Sequence, residues 1–368
     1  MAEMEVVMAA PPSYDRLQEV KEFDEAKIGV KGLSDSGITT IPRIFIHPQE
    51  KNYLTLKTSS TSSGIPIIDL SNVNSADHRL IVVEQVRAAA NTWGFFQVIN
   101  HCIPLSVLDE ITTAIKSFHE QPQELKAKYY VRQGQSGVTY SSNYDLFKSK
   151  VATWHDYNSV WMAPAAPHLD QIPDIYRNEL VEWDKNAAEL GNIVGELLAE
   201  GLGLDSRKLK ESSLLETRIF GGMFYPYCPQ PDLTVGLSDH TDPGVMTILL
   251  PNQVPGLQVK HEEKWVDVKP LPGGLIINIG DFLQIVSNGE YKSVQHRVKA
   301  NSHKELRISI VHWFDVGNWD ESNHYGPLPE LISPEKPAQY RMFSKQEYVE
   351  NFYSKGLDSK SLVEKLKL

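Results

Sequence analysis

The chain has 368 residues, 41% hydrophobic and 23% charged, with a formal net charge of −11 and two cysteines. That length suits one large domain or two fused units, with the composition of an ordinary globular protein. The acidic balance excludes a nucleic-acid or anionic-membrane surface as the main partner. No apolar run reaches the roughly 18 residues of a transmembrane helix. Met1 to Pro12 carries a short apolar patch, Val6 to Ala10, without the basic flank of a secretory signal. Cys102 and Cys228, far apart in sequence, exclude a disulfide framework and point to a reducing, cytoplasmic setting. A monomer is the expected state.

Residues 1–64 read as an N-terminal extension and linker, polar and irregular apart from a helix around Tyr14 to Ala26. Lys57 to Gly64 (KTSSTSSG) has the composition of an exposed linker. A short strand is predicted at Ile65 to Leu70. Residues 79–92 show helical spacing, with Leu80, Val83, Val86 and Ala90 on one stripe. Gly94 to Ile99 (GFFQVI) has the length and texture of a strand, ended by Asn100 and Pro104. A second helix fits Leu105 to Phe118. Residues 131–145 and 162–173, rich in Ser, Gly, Pro and Ala, read as loops and candidate lids. The longest helical signal runs through Tyr176, Leu180, Trp183, Ala187, Leu190, Val194 and Leu197, and stops at Gly201 and Gly203.

After about Arg218 the texture changes to short β-rich runs separated by turn dipeptides. Ser287-Asn288-Gly289-Glu290, between two apolar runs, predicts a hairpin. The runs GLQVKHEEKWVDVK, GLIINIG, FLQIVS, YKSVQHRV and LRISIVHWF predict a compact antiparallel barrel or sandwich. Ser344 to Leu368 is helical again. The expected organisation is α+β: an extension (1–64), a mainly helical region (65–215), a jelly-roll core (216–320) and a C-terminal helical segment (321–368).

His240-Thr241-Asp242 is the pivot for chemistry. On a strand, residues two apart face the same way, so an imidazole and a carboxylate converge. Among twelve histidines, His296 stands out as the third ligand because it lies in the strand-like run after the Asn-Gly turn. Two histidines and one carboxylate with open positions suit a non-haem iron(II) oxygenase, and zinc uses such ligands too. Arg307-Ile308-Ser309 repeats the spacing on a later strand. Its guanidinium and hydroxyl present a bidentate cradle for a carboxylate, and a buried Arg among Val, Ile and Leu needs an anion. Tyr225, in the proline-stiffened run Tyr225 to Pro231, offers a phenol to the same group.

These motifs resemble the plant 2-oxoglutarate-dependent dioxygenases over nearly the whole chain. The resemblance is carried by IPIIDL (65–70), WGFFQVINHCIP (93–104), YPYCPQPDL (225–233), GLSDHTDPGVMTILL (236–250), NIGDFLQIVSNGEYKSVQHRV (278–298) and RISI (307–310). FDEAKIGVKGLSDSGITTIPRIFI, at 23–46, is similar to the subgroup of 1-aminocyclopropane-1-carboxylate oxidase homologues, near deacetoxyvindoline 4-hydroxylase.

The resemblance implies a double-stranded β-helix, or jelly-roll, core flanked by helices. It implies that His240, Asp242 and His296 ligate iron(II), and that Arg307, Ser309 and Tyr225 hold 2-oxoglutarate. Tyr157 and Trp313 fall where relatives place substrate-facing aromatics. The implied reaction uses O2, oxidises a small molecule of specialised metabolism, most simply by hydroxylation, and releases succinate and CO2; ascorbate is the expected reductant. Two alternatives are an ascorbate-dependent oxidase of the 1-aminocyclopropane-1-carboxylate type and a catalytically silent binding relative. Three positions depart from the family pattern: Cys102 in place of Gly, Met223 in place of Asn or His, and His155 in place of Arg in W-x-D.

Overall fold

Two β-sheets carry the architecture of the computed structural model, which describes residues 14–48, 64–132, 137–317, 323–353 and 362–368. In chain order the main strands are β1 (Ile67–Asp69), β2 (Phe95–Ile99), β3 (Val138–Ser142), β4 (Asp156–Ala163), β5 (Thr217–Tyr225) and β6 (Val235–His240). They continue with β7 (Met246–Pro251), β8 (Leu257–His261), β9 (Lys264–Asp267), β10 (Leu275–Ile279), β11 (His296–Lys299) and β12 (Arg307–Asp315). The helices are α1 (Arg16–Ala26), α2 (Gly29–Asp35), α3 (Ala76–Thr92), α4 (Leu105–Glu120), α5 (Gln123–Lys126) and α6 (Arg177–Gly201). The shorter α7 (Lys208–Glu211), α8 (Asp281–Val286), α9 (Lys345–Tyr353) and α10 (Leu362–Leu366) follow.

One sheet runs β1-β2-β10-β7-β12-β5-β4-β3 and the other β6-β11-β8-β9. β1 and β2 are parallel, and the remaining pairs within these two sheets are antiparallel, as a jelly roll requires. β12 is paired on both edges, with β5 along its whole length and with β7 from Ser309 to Phe314. Successive side chains of a strand face opposite ways. Ile308, Ile310 and Phe314 therefore enter the large core beneath the helices, while Val311 enters the smaller cluster between the sheets, with Trp313 packed against it. β5 divides likewise, Phe220 and Phe224 to the helices, Met223 and Tyr225 inward.

The helical layer covers the outer face. α6 buries Leu180, Trp183, Ala187, Leu190, Val194 and Leu197, the stripe expected from spacing, and Gly203 beyond its end has a φ of 75°. At the N-terminus, α1 follows Asp15, whose side chain accepts from the Gln18 amide at 3.1 Å. The Val30 and Lys31 amides at the start of α2 donate to Asp156 at 2.7 and 2.8 Å, fastening the extension to β4.

Four expectations are corrected. On α3 the buried stripe is Val82, Val86, Ala89 and Ala90, and Leu80 is 71% exposed; a period near 3.6 fits either stripe, and packing selects the one with small residues. Residues 131–145 hold strand β3, whose polar Thr and Ser are paired with β4. FLQIVS forms helix α8, because a short apolar run buried all round reads alike as helix or strand. Asn288 and Gly289, at φ 53° and 79°, end that helix instead of turning a hairpin. Their amides donate to the Ile285 and Gln284 carbonyls at 3.0 and 2.9 Å, and a helix C-cap demands the same left-handed backbone as a tight turn. Apart from Gly64, the predicted linker from Lys57 lies outside the described residues. Among those residues, no helix is long and apolar enough to cross a membrane.

The Tyr348 hydroxyl on α9 donates to Asp315 at 2.7 Å, pinning the C-terminal helix to the end of β12. Burial pushes the Asp315 carboxyl up to about 6, outweighing the downward pull of that bond. The folded value lies above the unfolded one. Stabilisation from this carboxyl is therefore complete below about pH 4 and lost as pH rises through about 6. Asp315→Asn, always neutral, should gain on the wild type by on the order of 2–3 kcal/mol between about pH 4 and about pH 7, measured by paired urea melts. A difference independent of pH would contradict the buried, protonated carboxyl.

Candidate metal centre and its surroundings

β6 ends at His240 and β11 begins at His296, and the two are Cα partners across the antiparallel pair. Asp242 lies just past β6, so a loop and not strand alternation delivers its carboxylate. The three groups converge. Asp242 Oδ1 is 3.6 Å from Nε2 of each histidine, and one ligand atom from each residue lies within 4.8 Å of the others. His240 Nδ1 is 2.8 Å from the Ser238 carbonyl and His296 Nδ1 is 3.3 Å from that of Val294. Each Nδ1–H donates outward, which turns the Nε2 lone pair inward. Oδ2 of Asp242 accepts from Thr247 Oγ1 at 2.5 Å and Asn278 Nδ2 at 2.8 Å, leaving Oδ1 for the centre.

Burial alone would raise the Asp242 carboxyl, but the adjacent His296 and His240 hold it well below the usual carboxylate range. Burial, reinforced by His240, brings His296 down to about 4, so at neutral pH its ring is unprotonated. An ionised carboxylate and inward-facing imidazole nitrogens form a donor set suited to a first-row divalent metal such as iron(II).

Arg307 and Ser309 lie on the inner row of β12, and Tyr225 faces Arg307 across the β5–β12 pair. The Arg307 guanidinium, 1% exposed, stacks over the Tyr225 ring at 4.6 Å. Among the described residues no carboxylate pairs with it, and its Nε and Nη1 and the Ser309 hydroxyl have no hydrogen-bond partner. Burial lowers the guanidinium pKa and Tyr225 pulls it back up. A buried cation without a counter-charge is costly, so the cradle fits an anionic group brought from outside the chain.

The structure thus brings the sequence-selected residues onto one inner surface. Tyr157, 7% exposed, is the Cα partner of Met223, and Trp313 is that of Thr247. Sequence reasoning missed Thr247 and Asn278, which hold Asp242, and Phe95, whose ring meets His296 edge-on at 5.1 Å. The signal for Asn278 was present, a lone amide within the apolar run GLIINIG. Of the departures, Cys102 is exposed, Met223 joins the inner cluster, and His155 packs 5.7 Å from the Tyr225 ring. Burial brings His155 down to about 4, and its Nδ1 is 3.0 Å from Thr153 Oγ1.

Residues 212–316 match the model of the 2OG-Fe(II) oxygenase superfamily, and residues 65–177 match that of the non-haem dioxygenase N-terminal region named for morphine synthesis. The chain is 42% identical to 1-aminocyclopropane-1-carboxylate oxidase homolog 6 of Arabidopsis thaliana, covering 96% of this chain and 99% of that protein. The chain belongs to the 2OG-Fe(II) oxygenase superfamily. A homolog from Solanum lycopersicum is also 42% identical, over 97% of this chain and 98% of its own.

Among solved structures, the oxygenase is similar to JOX2 in complex with 2OG, Fe and JA, with a TM-score of 0.79, 30% identity, and coverage of 92% of this chain and 97% of that one. The rice dioxygenase for auxin oxidation shares the fold, with a TM-score of 0.69 at 22% identity, covering 83% of this chain and all of its own. The protein is therefore a 2-oxoglutarate-dependent dioxygenase, of a family that uses iron(II) and 2-oxoglutarate.

Removing either bond to Asp242 Oδ2 frees the carboxylate to rotate. Thr247→Val and Asn278→Ala should each weaken divalent-metal binding about 10- to 100-fold, read by anaerobic calorimetry with Mn(II). Unchanged affinity in both would show that Asp242 needs neither bond to hold its orientation.

Proposed function

We infer that this oxygenase binds iron(II) through His240, Asp242 and His296, binds the distal carboxylate of 2-oxoglutarate through Arg307, Ser309 and Tyr225, and hydroxylates a small specialised metabolite. The observation that carries the reading is the buried Arg307 guanidinium, without a carboxylate partner among the described residues, on the inner surface that also holds the convergent triad. A dicarboxylate with one end on the metal supplies the missing anion. Elsewhere the fold does partner a largely buried Arg: Arg218 donates to Asp184 at 2.9 and 3.0 Å.

Iron(II) with 2-oxoglutarate supplies O2 activation coupled to decarboxylation, which leaves succinate and CO2. The chain's own part is placement. Burial pushes the Tyr225 phenol pKa up while Arg307 pulls it down, and the phenol stays a hydrogen-bond donor at neutral pH. Tyr157 and Trp313 form the substrate side of the cavity, with Met223, Leu249 and Val311 excluding water around the target bond. Two free cysteines fit a cytoplasmic, reducing setting with ascorbate as reductant. Likeness to the oxidase homologues supports a substrate from specialised plant metabolism.

The test mixes apo-protein, Fe(II) and 2-oxoglutarate without O2 and follows the visible metal-to-ligand charge-transfer band. His296→Ala should abolish the band. Arg307→Ala should raise the apparent 2-oxoglutarate dissociation constant by about 100-fold, the cost of losing a buried charge partner. A wild-type band insensitive to Arg307→Ala would sink the anchoring role, and no band in folded, iron-loaded protein would sink the co-substrate itself.

A further inference from the structure

β5 carries two adjacent glycines whose vacant positions are used on opposite faces. A Cβ at Gly222 would meet the Asn158 Oδ1 at 2.4 Å, and one at Gly221 would meet Trp313 Cζ3 at 2.4 Å and Cη2 at 2.6 Å. Ordinary carbon–carbon contact begins near 3.5 Å, so the benzo rim of the Trp313 indole occupies the volume a side chain at 221 would fill. Gly221 stands opposite Val311 on β12 and Ser159 on β4, in the inward row with Met223.

Trp313 in turn stands beside the metal centre. Its Cα partner is Thr247, whose hydroxyl donates to Asp242. Tyr157, Met223, Leu249, Val311 and Phe95 complete this uncharged surface. The guanidinium of Arg307 lies at the far end of the inward row of β12, level with Tyr225.

We propose that Gly221 is a specificity-determining residue. By leaving out a side chain it lets Trp313 settle back against β5, and so opens beside the metal centre a slot for an uncharged, flat, fused-ring substrate. The proposal rests on the iron and 2-oxoglutarate reading of the site and adds to it the class of substrate. A methyl at 221 displaces the indole by about 1 Å, and the clash falls on the far end of a side chain that swings on two torsions. The displaced ring moves away from β5, toward the inner cluster between the sheets, and the strand pairing survives.

The experiment uses the anaerobic Fe(II)–2-oxoglutarate complex, its charge-transfer band as reporter, and three uncharged probes: benzyl alcohol, 2-naphthol and 9-phenanthrol. The two fused-ring probes should perturb the wild-type band. Gly221→Ala should raise their dissociation constants at least about tenfold and that of benzyl alcohol by less than about threefold. In a Trp313→Leu background, Gly221→Ala should change nothing, because the group it displaces is gone.

Equal loss in both backgrounds, no loss at all, or no response of the wild-type band to either fused-ring probe overturns the proposal. If Gly221→Ala does not fold, Trp313→Leu alone decides: relative affinity must shift toward 9-phenanthrol, and an unshifted order overturns it. A wild-type protein that forms no band removes the underlying reading, and the slot with it, which separates the two failures.

Discussion

The site depends on β12 being paired along both edges. Hydrogen bonding to β5 and β7 leaves this strand no freedom of register, and a slip by one residue would turn every inward side chain to the helices. With the register held, Arg307, Ser309, Val311 and Trp313 form a single inward row, running from the level of Tyr225 to the level of the Thr247 that holds Asp242. One strand thereby connects the candidate anion cradle, the inner apolar cluster and the neighbourhood of the convergent triad.

Two buried charges sit on the inner surface under different terms. Asp242 is compensated within the chain, by the Thr247 hydroxyl, the Asn278 amide and two imidazoles, so the centre is organised in advance of any metal. Among the described residues Arg307 has Tyr225 as its partner and no carboxylate, and its Nε and Nη1 stay unpaired. A complete site for the cation and an incomplete one for the anion is the arrangement expected of a resident metal and a co-substrate that is consumed and replaced.

The N-terminal extension belongs to the same construction. Asp156, the third residue of W-x-D, receives two amides of α2, while Asp24 of α1 accepts from the Tyr130 hydroxyl at 2.7 Å and from Arg132 at 2.6 Å. Arg132 then donates to the Asn143 carbonyl at 2.7 Å. The extension thus braces the segment leading into β4, the strand that supplies Tyr157.

By itself the sequence determined the broad architecture and singled out the polar residues that the fold brings together. His240-x-Asp242, His296 and Arg307-x-Ser309 were legible because their chemistry is improbable inside apolar runs, and α6 was legible because its period persists over six buried positions. Not every short apolar run was legible: GFFQVI is the strand its texture predicts, but FLQIVS became a helix and the Asn-Gly pair its cap, since both outcomes require the same burial and the same left-handed backbone. Tertiary structure alone decided which groups meet. It set His240 against His296 across a strand pair, brought Thr247 and Asn278 to Asp242 from two other strands, and laid Trp313 over Gly221. These contacts join residues distant in sequence, so local periodicity carries no trace of them; they follow from strand order and register, which the packing of the whole chain selects.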